Sequence, residues 1–549
     1  MQPLSFFAGA PAGFESCLLD PAIAIAAAQA GAVGVLDCEF AAPEVIAAAL
    51  TQLAERGTRG TFALKLAPGQ WPQLAELPAL TELVRTGRLG WVVLTLGGVV
   101  ADGVPAALAA VVAPLRERGV RVLVEVTSSP EAELASRVAP DGLLAKGHEA
   151  EGRVGEETAF VLLQRLIKER REPIYVQGGV GLHTAAACLV GGARGVFLTS
   201  PLLLTRESPL ADKLLTRLAR LDGTEPQCHA LPAGPDEPAR YRLYARPGSP
   251  AAASLQQLLR AQAVDAAAAY ATLCSYLQRP SDERAWLLGQ DIAYAGPLAR
   301  RFGSTAAVLG AVREAAAEQL SEAATAGPLA AGAPLSRSHG TRYPIVQGAM
   351  TRVSDTAEFA WQVASTGALP FLALALLRGG ELDPLLAQTA AQLGTLPWGV
   401  GILGFVPPEL RQEQLEVVLR YKPPFALIAG GRPDQAQALE AQGIRTYLHV
   451  PSPLLLRSFL ELGARRFIFE GRECGGHVGP RSSFVLWEAM VAELLSAAEA
   501  GQELREVHLL LAGGISDARS AAMAVAIVAP LLRLGVKVGV LMGTAYLFT

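Results

Sequence analysis

Residues 471–480 read GRECGGHVGP and residues 147–156 read GHEAEGRVGE, so five of ten positions agree at an offset of 324 residues. The similarity continues along the chain in the same order, and the offset changes only by insertions. The further pairs are FVL at 160–162 and 484–486, GG at 178–179 and 513–514, and GVFLTSPLLLT at 195–205 with GVLMGTAYLFT at 539–549. Four collinear landmarks indicate two copies of one ancestral unit.

Each copy also contains eight short apolar runs separated by helix-like segments. The runs of the first copy fall at 4–8, 33–37, 61–66, 91–96, 121–126, 142–146, 173–177 and 195–199. Those of the second copy fall at 344–347, 369–373, 397–402, 425–429, 445–450, 466–470, 508–512 and 538–542. Continuous apolar runs are typical of parallel strands buried on both faces. Eight alternations of strand and helix predict an α/β protein of two tandem (β/α)8 TIM barrels, with an open doubly wound sheet as the alternative.

The segment between the copies has a different composition. Residues 223–250 are rich in Pro and Gly and indicate a loop or short strands. Residues 251–324 are rich in Ala, Leu, Gln and Glu with helical periodicity, and 327–339 have the composition of a linker. We therefore predict a first barrel at 1–225, a helical subdomain and linker at 226–335, and a second barrel at 336–549. Because the second copy stops after its eighth strand, we expect either a longer natural chain or one helical region that serves both barrels. Duplicated barrels are expected to pack as an intramolecular pseudo-dimer.

Composition narrows the function classes. The 549 residues carry 47 Lys and Arg against 51 Asp and Glu, a formal net charge of −4, which gives no support to nucleic-acid or anionic-membrane binding. The hydrophobic share of 51% and the mean hydropathy of +0.31 exclude a disordered chain. Long uncharged runs are interrupted by Gly, Pro and polar residues, so we expect no membrane span. The six cysteines are scattered, and the N-terminal residues lack the basic region of a signal peptide. Both observations favour a reduced, cytoplasmic protein.

Candidate chemistry lies where the strands of the second copy end, because barrel enzymes build their sites at that face. After the sixth strand, a glycine-rich loop carries His477, which could exchange a proton near neutral pH. A structural histidine in a glycine turn is the alternative. Cys474 lies three residues before His477, but no further metal-ligating residues accompany them, which argues against a metal site.

Glycines also follow the seventh and eighth strands, as Gly513-Gly514 and Gly543-Thr544. Loops at these two positions commonly bind phosphate through backbone N–H groups. After the first strand, the small residues of QGAM at 347–350 could admit a flat ring against the backbone. Together these features predict flavin mononucleotide (FMN) as the cofactor.

The residues of the second copy resemble one family. YPIVQGAM (343–350), FEGRECGGHVG (469–479), LLAGGISD (510–517) and GVLMGTAYLF (539–548) are similar to the nitronate monooxygenase, or 2-nitropropane dioxygenase-like, family. That family includes the flavin-dependent enoyl-acyl-carrier-protein reductases of fatty-acid and polyketide synthases. The resemblance covers 341–549 and is weaker over 1–325.

The resemblance implies a role for each matching residue. His477 would be the catalytic or substrate-orienting histidine. The cofactor would be bound by Gln347, Gly348, Ala349 and Met350 at the flavin ring, by Gly475 and Gly476 in the histidine loop, and by Gly513, Gly514, Gly543 and Thr544 at the phosphate. NAD(P)H is a candidate electron donor. The family often has Asn after the third strand, where this chain has Gly401, so one polar contact would be missing.

The resemblance also implies substrates and partners. We expect an FMN-dependent oxidoreductase that acts on acyl-thioester intermediates, free or bound to acyl carrier protein, beside other domains of a polyketide or fatty-acid megasynthase. The alternatives are a nitronate monooxygenase that uses O2, a non-catalytic docking domain, and an inosine-monophosphate-dehydrogenase-like enzyme that would use Cys474.

The first copy departs from the pattern. Arg153 stands at the position of His477, Thr199-Ser200 replaces Gly543-Thr544 and is followed by Pro201, and Pro11 stands where Met350 is expected. Proline removes an N–H that a phosphate would need. Although Gly178 and Gly179 are retained, we predict that the first barrel has lost catalysis and flavin. His148 is expected to be an exposed loop residue.

Overall fold

The computed structural model describes residues 5–10, 19–56, 60–96, 104–231, 239–253, 255, 266–277, 279, 284–476 and 478–548. The chain divides into two units, residues 1–316 and 317–549, and the division falls inside one long helix, Thr305–Ala326. Each unit contains a closed barrel of eight parallel strands, which confirms the predicted fold class. None of the described helices is both long enough and apolar enough to cross a membrane.

The first barrel closes because its first strand pairs in parallel with both its second and its eighth. Its strands are β1 (Ser5–Ala10), β2 (Val33–Asp37), β3 (Thr61–Leu66), β4 (Leu89–Leu94), β5 (Arg121–Val126), β6 (Gly142–Lys146), β8 (Ile174–Gln177) and β9 (Gly195–Leu198), with the short β7 (Gly152–Val154) outside the barrel. Inside, the ring of Phe7 stacks on Phe197 at 4.4 Å and meets Trp91 and Tyr175 edge-on. These large rings fill an interior that the surrounding alanines and glycines could not fill.

Helices surround and follow this barrel. They are α1 (Ala22–Gln29), α2 (Pro43–Arg56), α3 (Trp71–Leu74), α4 (Pro78–Arg85), α5 (Val104–Glu117), α6 (Ser129–Ser136), α7 (Ala159–Glu169), α8 (Thr184–Gly191), α9 (Asp212–Leu218), α10 (Ala266–Leu277), α11 (Ile292–Phe302) and α12 (Thr305–Ala326). The region after the barrel also contains antiparallel strands β10 (Gln227–Leu231), β11 (Ala239–Ala245) and β12 (Ala285–Trp286). Strand β7, from the loop after β6, pairs with β11. Strands β10 and β11 lie within residues 223–250, where loop or short strands were predicted, while the proposed borders at 225 and 335 stay predictions.

The second barrel repeats the arrangement. Its strands, in closed order, are β13 (Ile345–Gln347), β14 (Leu369–Ala373), β15 (Gly399–Leu403), β16 (Phe425–Ala429), β17 (Arg445–His449), β18 (Arg466–Glu470), β19 (His508–Ala512) and β20 (Lys537–Met542). Its helices are α13 (Pro334–His339), α14 (Ala357–Ser365), α15 (Gly379–Leu393), α16 (Pro408–Tyr421), α17 (Pro433–Glu440), α18 (Pro453–Glu461), α19 (Ser483–Glu499) and α20 (Ala518–Leu532). Across both barrels, the predicted strand ends differ from the observed ones by at most two residues.

The interior of the second barrel is layered. Phe371, Leu427, Tyr447 and Ile468 belong to one buried cluster, so every second residue of these strands faces inward. Beneath that layer, the hydroxyl of Tyr447 lies 2.6 Å from Nε2 of His339 and 3.4 Å from Nδ1 of His508. This polar trio lies at the amino ends of the strands, where barrels carry stability rather than catalysis.

Candidate functional site

The mouth of the second barrel has a floor of small residues. Counting two residues up from the inward-facing Phe371, Gly399 and Leu427 places Ala373, Gly401 and Ala429 at the carboxyl ends of three adjacent strands. No side chain larger than a methyl group projects from these three positions. Ala349 packs on Gly401, so methyl groups and backbone form a floor above which a flat ring could lie.

The loops after the first and eighth strands meet at this mouth. The N–H of Gly348 donates to the carbonyl of Met542 at 2.9 Å. The sulfur of Met350 lies 3.6 Å from the position that a Cβ on Gly543 would occupy. Met350, Gly348 and Gly543, three of the predicted cofactor residues, therefore lie side by side.

Gln347 lies in the barrel wall. Its side chain is fully buried, its carboxamide oxygen accepts the N–H of Phe371 at 3.1 Å, and its amide nitrogen donates to the carbonyl of Gly348. These bonds use the side chain to join β13 to β14. Any contact with a flavin ring would come from the backbone beyond it.

The backbone conformation at the two positions after the seventh strand requires glycine. Gly513 and Gly514 have φ of +115° and +70°, a conformation that side chains disfavour. A Cβ on Gly513 would also lie 2.7 Å from Oγ of Ser483 and 3.2 Å from Sγ of Cys474. The next helix, α20, begins at Asp517, whose carboxylate accepts the N–H of Ser520 at 2.9 Å. Two glycines with positive φ followed by the start of a helix, here called a cradle, are the backbone elements from which phosphate sites are commonly built.

Gly543 and Thr544 complete that cradle. Gly543 has φ −112° and ψ −88°, and a single 3-10 turn, Thr544–Leu547, follows it. In the first barrel, Thr199 has φ −128° and ψ −87° before the 3-10 turn Ser200–Leu202. Gly178 and Gly179 likewise have φ of +111° and +64°. The two copies thus retain the same backbone at both glycine positions, although their residues have diverged.

The loop after the sixth strand is anchored at its base. The N–H of Arg472 donates to the carbonyl of Arg481 at 2.9 Å, and Glu473 accepts both the N–H and the hydroxyl of Ser483 at 2.8 and 2.6 Å. Glu473 therefore ties this loop to the first turn of α19. Ideal Cβ atoms on Gly475 and Gly476 would meet nothing within 4 Å, so both lie beside open space. His477 itself lies outside the described residues.

Cys474 lacks the properties of a nucleophile. Burial, reinforced by the negative charges of Glu470 and Glu473, raises the pKa of its thiol far above the usual range. The thiol therefore stays protonated at neutral pH. This disfavours the reading in which Cys474 attacks a substrate.

Sequence reasoning missed a histidine in the mouth. Nδ1 of His449, at the end of β17, lies 2.8 Å from Oε2 of Glu470, at the end of β18. Both belong to the inward-facing rows of Tyr447 and Ile468. The repeat held the signal, because the 324-residue offset aligns this pair with Glu125 and Lys146, two charged residues at the same strand ends of the first copy.

The mouth of the first barrel is filled by its own charges. Nζ of Lys65 lies 3.1 Å from Asp37, 3.3 Å from Glu39 and 3.0 Å from Glu125, and all four side chains are buried. Nζ of Lys146, also buried, lies 3.4 Å from the same oxygen of Glu125. The charged network occupies the carboxyl ends of these strands, and two of its members, Glu125 and Lys146, stand at the positions of His449 and Glu470 in the second barrel.

Asp291 occupies the first barrel's counterpart of the phosphate cradle. Its buried carboxyl hydrogen-bonds the backbone N–H of Gly179 and the hydroxyl of Ser200. Ser200 is held in turn by the N–H of Gly289, which donates to its Oγ at 3.1 Å. By the repeat alignment, Gly179 and Ser200 correspond to Gly514 and Thr544. A carboxyl group of the chain thus fills the place of a phosphate.

Two further residues of the first barrel have structural roles. Arg153, at the position equivalent to His477, forms a bidentate pair with Glu131 at 2.7 and 3.0 Å. His148 was expected to be exposed, and that prediction is wrong: only 4% of it is exposed, and Nδ1 donates to the carbonyl of Gly155 at 2.8 Å. The loop that carries His148 includes β7, which pairs with β11, and the sequence of the loop alone does not reveal this partner. Pro11 lies outside the described residues.

The comparisons with known proteins agree with the resemblance. Residues 381–549 match the model of the nitronate monooxygenase family. The matched segment covers most of the second barrel, so this barrel is similar to that family, and the match points to an FMN-dependent oxidoreductase. A search of curated protein sequences finds no match.

Among solved structures, the chain resembles FabK from Thermotoga maritima, with 18% identity over 59% of this chain and 95% of that one, at a TM-score of 0.46. It also resembles nitroalkane oxidase from Streptomyces ansochromogenes, with 19% identity over 58% of this chain and 96% of that one, at a TM-score of 0.40. A third neighbour is the enoyl reductase domain of MlnA from the macrolactin biosynthesis cluster of Bacillus amyloliquefaciens. It shows 17% identity over 39% of this chain and 55% of that one, at a TM-score of 0.31.

Proposed function

We propose that the mouth of the second barrel binds FMN and reduces acyl-thioester intermediates of a polyketide or fatty-acid synthase, with NAD(P)H as the electron donor. The observation that carries this proposal is the glycine cradle after β19 and β20 within a segment that matches an FMN-dependent family. His477 is proposed as the catalytic or substrate-orienting residue on the resemblance alone.

The residues present fit FMN. Ala373, Gly401 and Ala429 leave the floor of the mouth flat, as an aromatic ring system requires. A phosphate would lie against Gly514 and Thr544, where Cβ-free and exposed backbone can approach it closely. When bound, FMN supplies hydride or electron transfer, which no amino-acid side chain performs.

The protein's own groups would bind and orient. The cradle would hold the phosphate, Met350 and Gly348 would border the ring, and Glu473 would fix the loop that carries Gly475 and Gly476. A hydrogen-bond donor at the thioester carbonyl would stabilise negative charge that develops on its oxygen. Glycines of the loop leave room for such a substrate.

We expect one FMN per chain. In the first barrel, Asp291 fills the phosphate position and the Lys65 network fills the floor. A phosphate there would have to displace the carboxyl group of Asp291 and would lie near the charges of Glu149 and Glu151, which disfavours its binding. Both features support a single site in the second barrel.

The first experiment measures FMN in the purified full chain. We expect an oxidised-flavin absorption spectrum and about one FMN released per chain after denaturation. A colourless chain that takes up no added FMN would refute the proposal, and two FMN per chain would refute its restriction to one barrel. The variant Gly543→Val should lose most of the flavin, because a branched side chain would project towards Met350. Gly380→Ala is the matched control, since a Cβ there meets nothing within 4 Å.

The second experiment decides the substrate. We expect NADPH oxidation with crotonyl thioesters of pantetheine, coenzyme A and acyl carrier protein, with the highest kcat/KM for the carrier-protein form. The family match favours nitronate oxidation as the second candidate function. Oxygen uptake with ethyl nitronate, together with no crotonyl reduction, would replace the reductase proposal by that one.

A further inference from the structure

His449 and Glu470 form an ionisable pair at the floor of the second barrel's mouth. Nδ1 of His449 lies 2.8 Å from Oε2 of Glu470, and their side chains are 17% and 13% exposed. Since a carboxylate accepts hydrogen bonds, Nδ1 carries the proton in this contact. The carboxylate thereby fixes both the orientation of the ring and its tautomer.

The other ring nitrogen is available. Nε2 of His449 is buried and has no hydrogen-bond partner among the described residues. A buried polar atom without a partner is costly unless a water or a ligand satisfies it. Because Tyr447 faces inward, strand periodicity places the side chain of His449 on the inner face of the barrel, at the carboxyl end of β17.

The pair stands out within its layer. Its inward-facing neighbours on the other described strand ends include Ala373, Ala429 and Ala512, none of which can form a side-chain hydrogen bond. His449 and Glu470 thus supply ionisable groups to a floor that is otherwise apolar and flat.

The first barrel shows what the same positions do when no ligand is accommodated. There the equivalent pair, Glu125 and Lys146, is completely buried, and Lys65 adds a second cation to Glu125 at 3.0 Å. In the second barrel, neither residue of the pair has an ion-pair partner from a third described residue, and the pair remains partly exposed. The first barrel thus neutralises these positions with its own charges, whereas in the second barrel Nε2 of His449 remains without a hydrogen-bond partner among the described residues.

We propose that His449, oriented by Glu470, is a second substrate-binding histidine of this site, in addition to His477. Its Nε2–H would donate a hydrogen bond to the carbonyl or nitro oxygen of the bound substrate. An imidazole ring donates from both nitrogens when it carries two protons, and a carboxylate beside it then supplies the counter-charge. This proposal rests on the proposed function, because it needs a substrate in the second barrel.

The test uses the full-length holoenzyme and the saturated thioester butyryl-pantetheine, which binds without being reduced. Its dissociation constant is read from the change in flavin absorbance. Loss of a charge-assisted hydrogen bond should weaken binding by about tenfold or more in His449→Ala. His449→Gln, whose amide can still donate, should recover part of that loss. Glu470→Gln should weaken binding less than His449→Ala does.

Several readouts separate a binding role from a structural one. FMN content and melting temperature should stay near those of the wild type, and KM for the enoyl thioester should rise more than kcat falls. In ¹⁵N-histidine spectra, the His449 resonances should shift when butyryl-pantetheine is added. The control is Glu493→Gln, which breaks an ion pair with Arg457 of similar length, 2.7 Å, between helices α18 and α19, and should leave binding unchanged.

Each contrary result has one meaning. If flavin-loaded His449→Ala binds the thioester as tightly as the wild type does, this inference is overturned and the proposed function stays intact. Equal loss of FMN and of thermal stability in His449→Ala and His449→Gln would also overturn it, because the residue would then be structural. A wild type without flavin would contradict the proposed function itself.

Discussion

The Cβ of Ala349 lies 2.3 Å from the point that a Cβ on Gly401 would occupy. The loop after the first strand therefore packs directly on the third strand, and position 401 admits no side chain. The family that this barrel resembles often has asparagine at the position of Gly401. The close approach of Ala349 leaves no room for such a side chain. The two residues form one unit of the floor.

This relationship predicts a compensated double substitution. Gly401→Asn alone should lower stability by about 1–3 kcal/mol, the usual cost of overpacking, and should reduce FMN occupancy because Ala349 is displaced. Ala349→Gly in the same chain should restore both, since it removes the clashing methyl group. Urea unfolding and flavin absorbance measure the two effects. If the effects of the two substitutions were simply additive, the contact would not be the cause.

The fold was predictable because it depends on a pattern that the chain repeats. Eight apolar runs per copy reflect strands buried on both faces, and the strand ends were found within two residues. Short strands were expected where β10 and β11 lie, but their pairing was not apparent from the sequence. Their sequences alternate polar and apolar residues in a Pro- and Gly-rich region, and their partner β7 lies more than seventy residues earlier in the chain.

Backbone geometry requires glycine at two of the predicted cofactor residues, although their role in binding stays a prediction. Gly513 and Gly514 have positive φ values, as do Gly178 and Gly179 in the first copy, whereas the φ of −112° at Gly543 admits other residues, such as Thr199 in the first copy. His449 was missed because it lies inside an apolar run and carries no local motif. Only the position of Glu470 on the adjacent strand reveals it, and strand adjacency comes from the closed barrel. Asp291 was missed for a similar reason, because more than a hundred residues separate it from Gly179.

Asp291 should make the first unit less stable as pH rises. Burial, together with the charges of Glu151 and Glu149, raises the pKa of its carboxyl well above the usual value. The unfolded chain releases this proton near pH 4, whereas the folded chain retains it to higher pH, so stability falls across that interval. Asp291→Asn cannot ionise. Its melting temperature relative to the wild type should therefore rise between pH 4 and pH 8. A pH-independent difference would show that the carboxyl ionises without penalty.

Cys474 should be inert in the folded protein. Its raised pKa keeps the thiolate population small at pH 8, and the thiolate is the form that alkylating agents attack. With iodoacetamide, Cys474 should react at least tenfold more slowly in the native chain than in urea, as followed by mass spectrometry of its peptide. Native and unfolded rates that coincide would revive the reading of Cys474 as a nucleophile.

The second barrel should lose stability in acid through its two buried histidines. Burial, with nearby Arg445 and Arg466, lowers the pKa of His339 to about 3 and that of His508 to about 2. Unfolded histidines take up a proton below about pH 6.5 while the folded ones stay neutral, so unfolding becomes more favourable as pH falls. The slope should approach about 1.4 kcal/mol per pH unit for each histidine between pH 6 and pH 4. The substitution His508→Gln should reduce that slope. If instead His508 is protonated in the folded barrel, the variant and the wild type should show the same pH dependence. Urea unfolding of the two proteins at pH 7, 6 and 5 distinguishes these outcomes, because the curves of wild type and variant should converge as the pH falls.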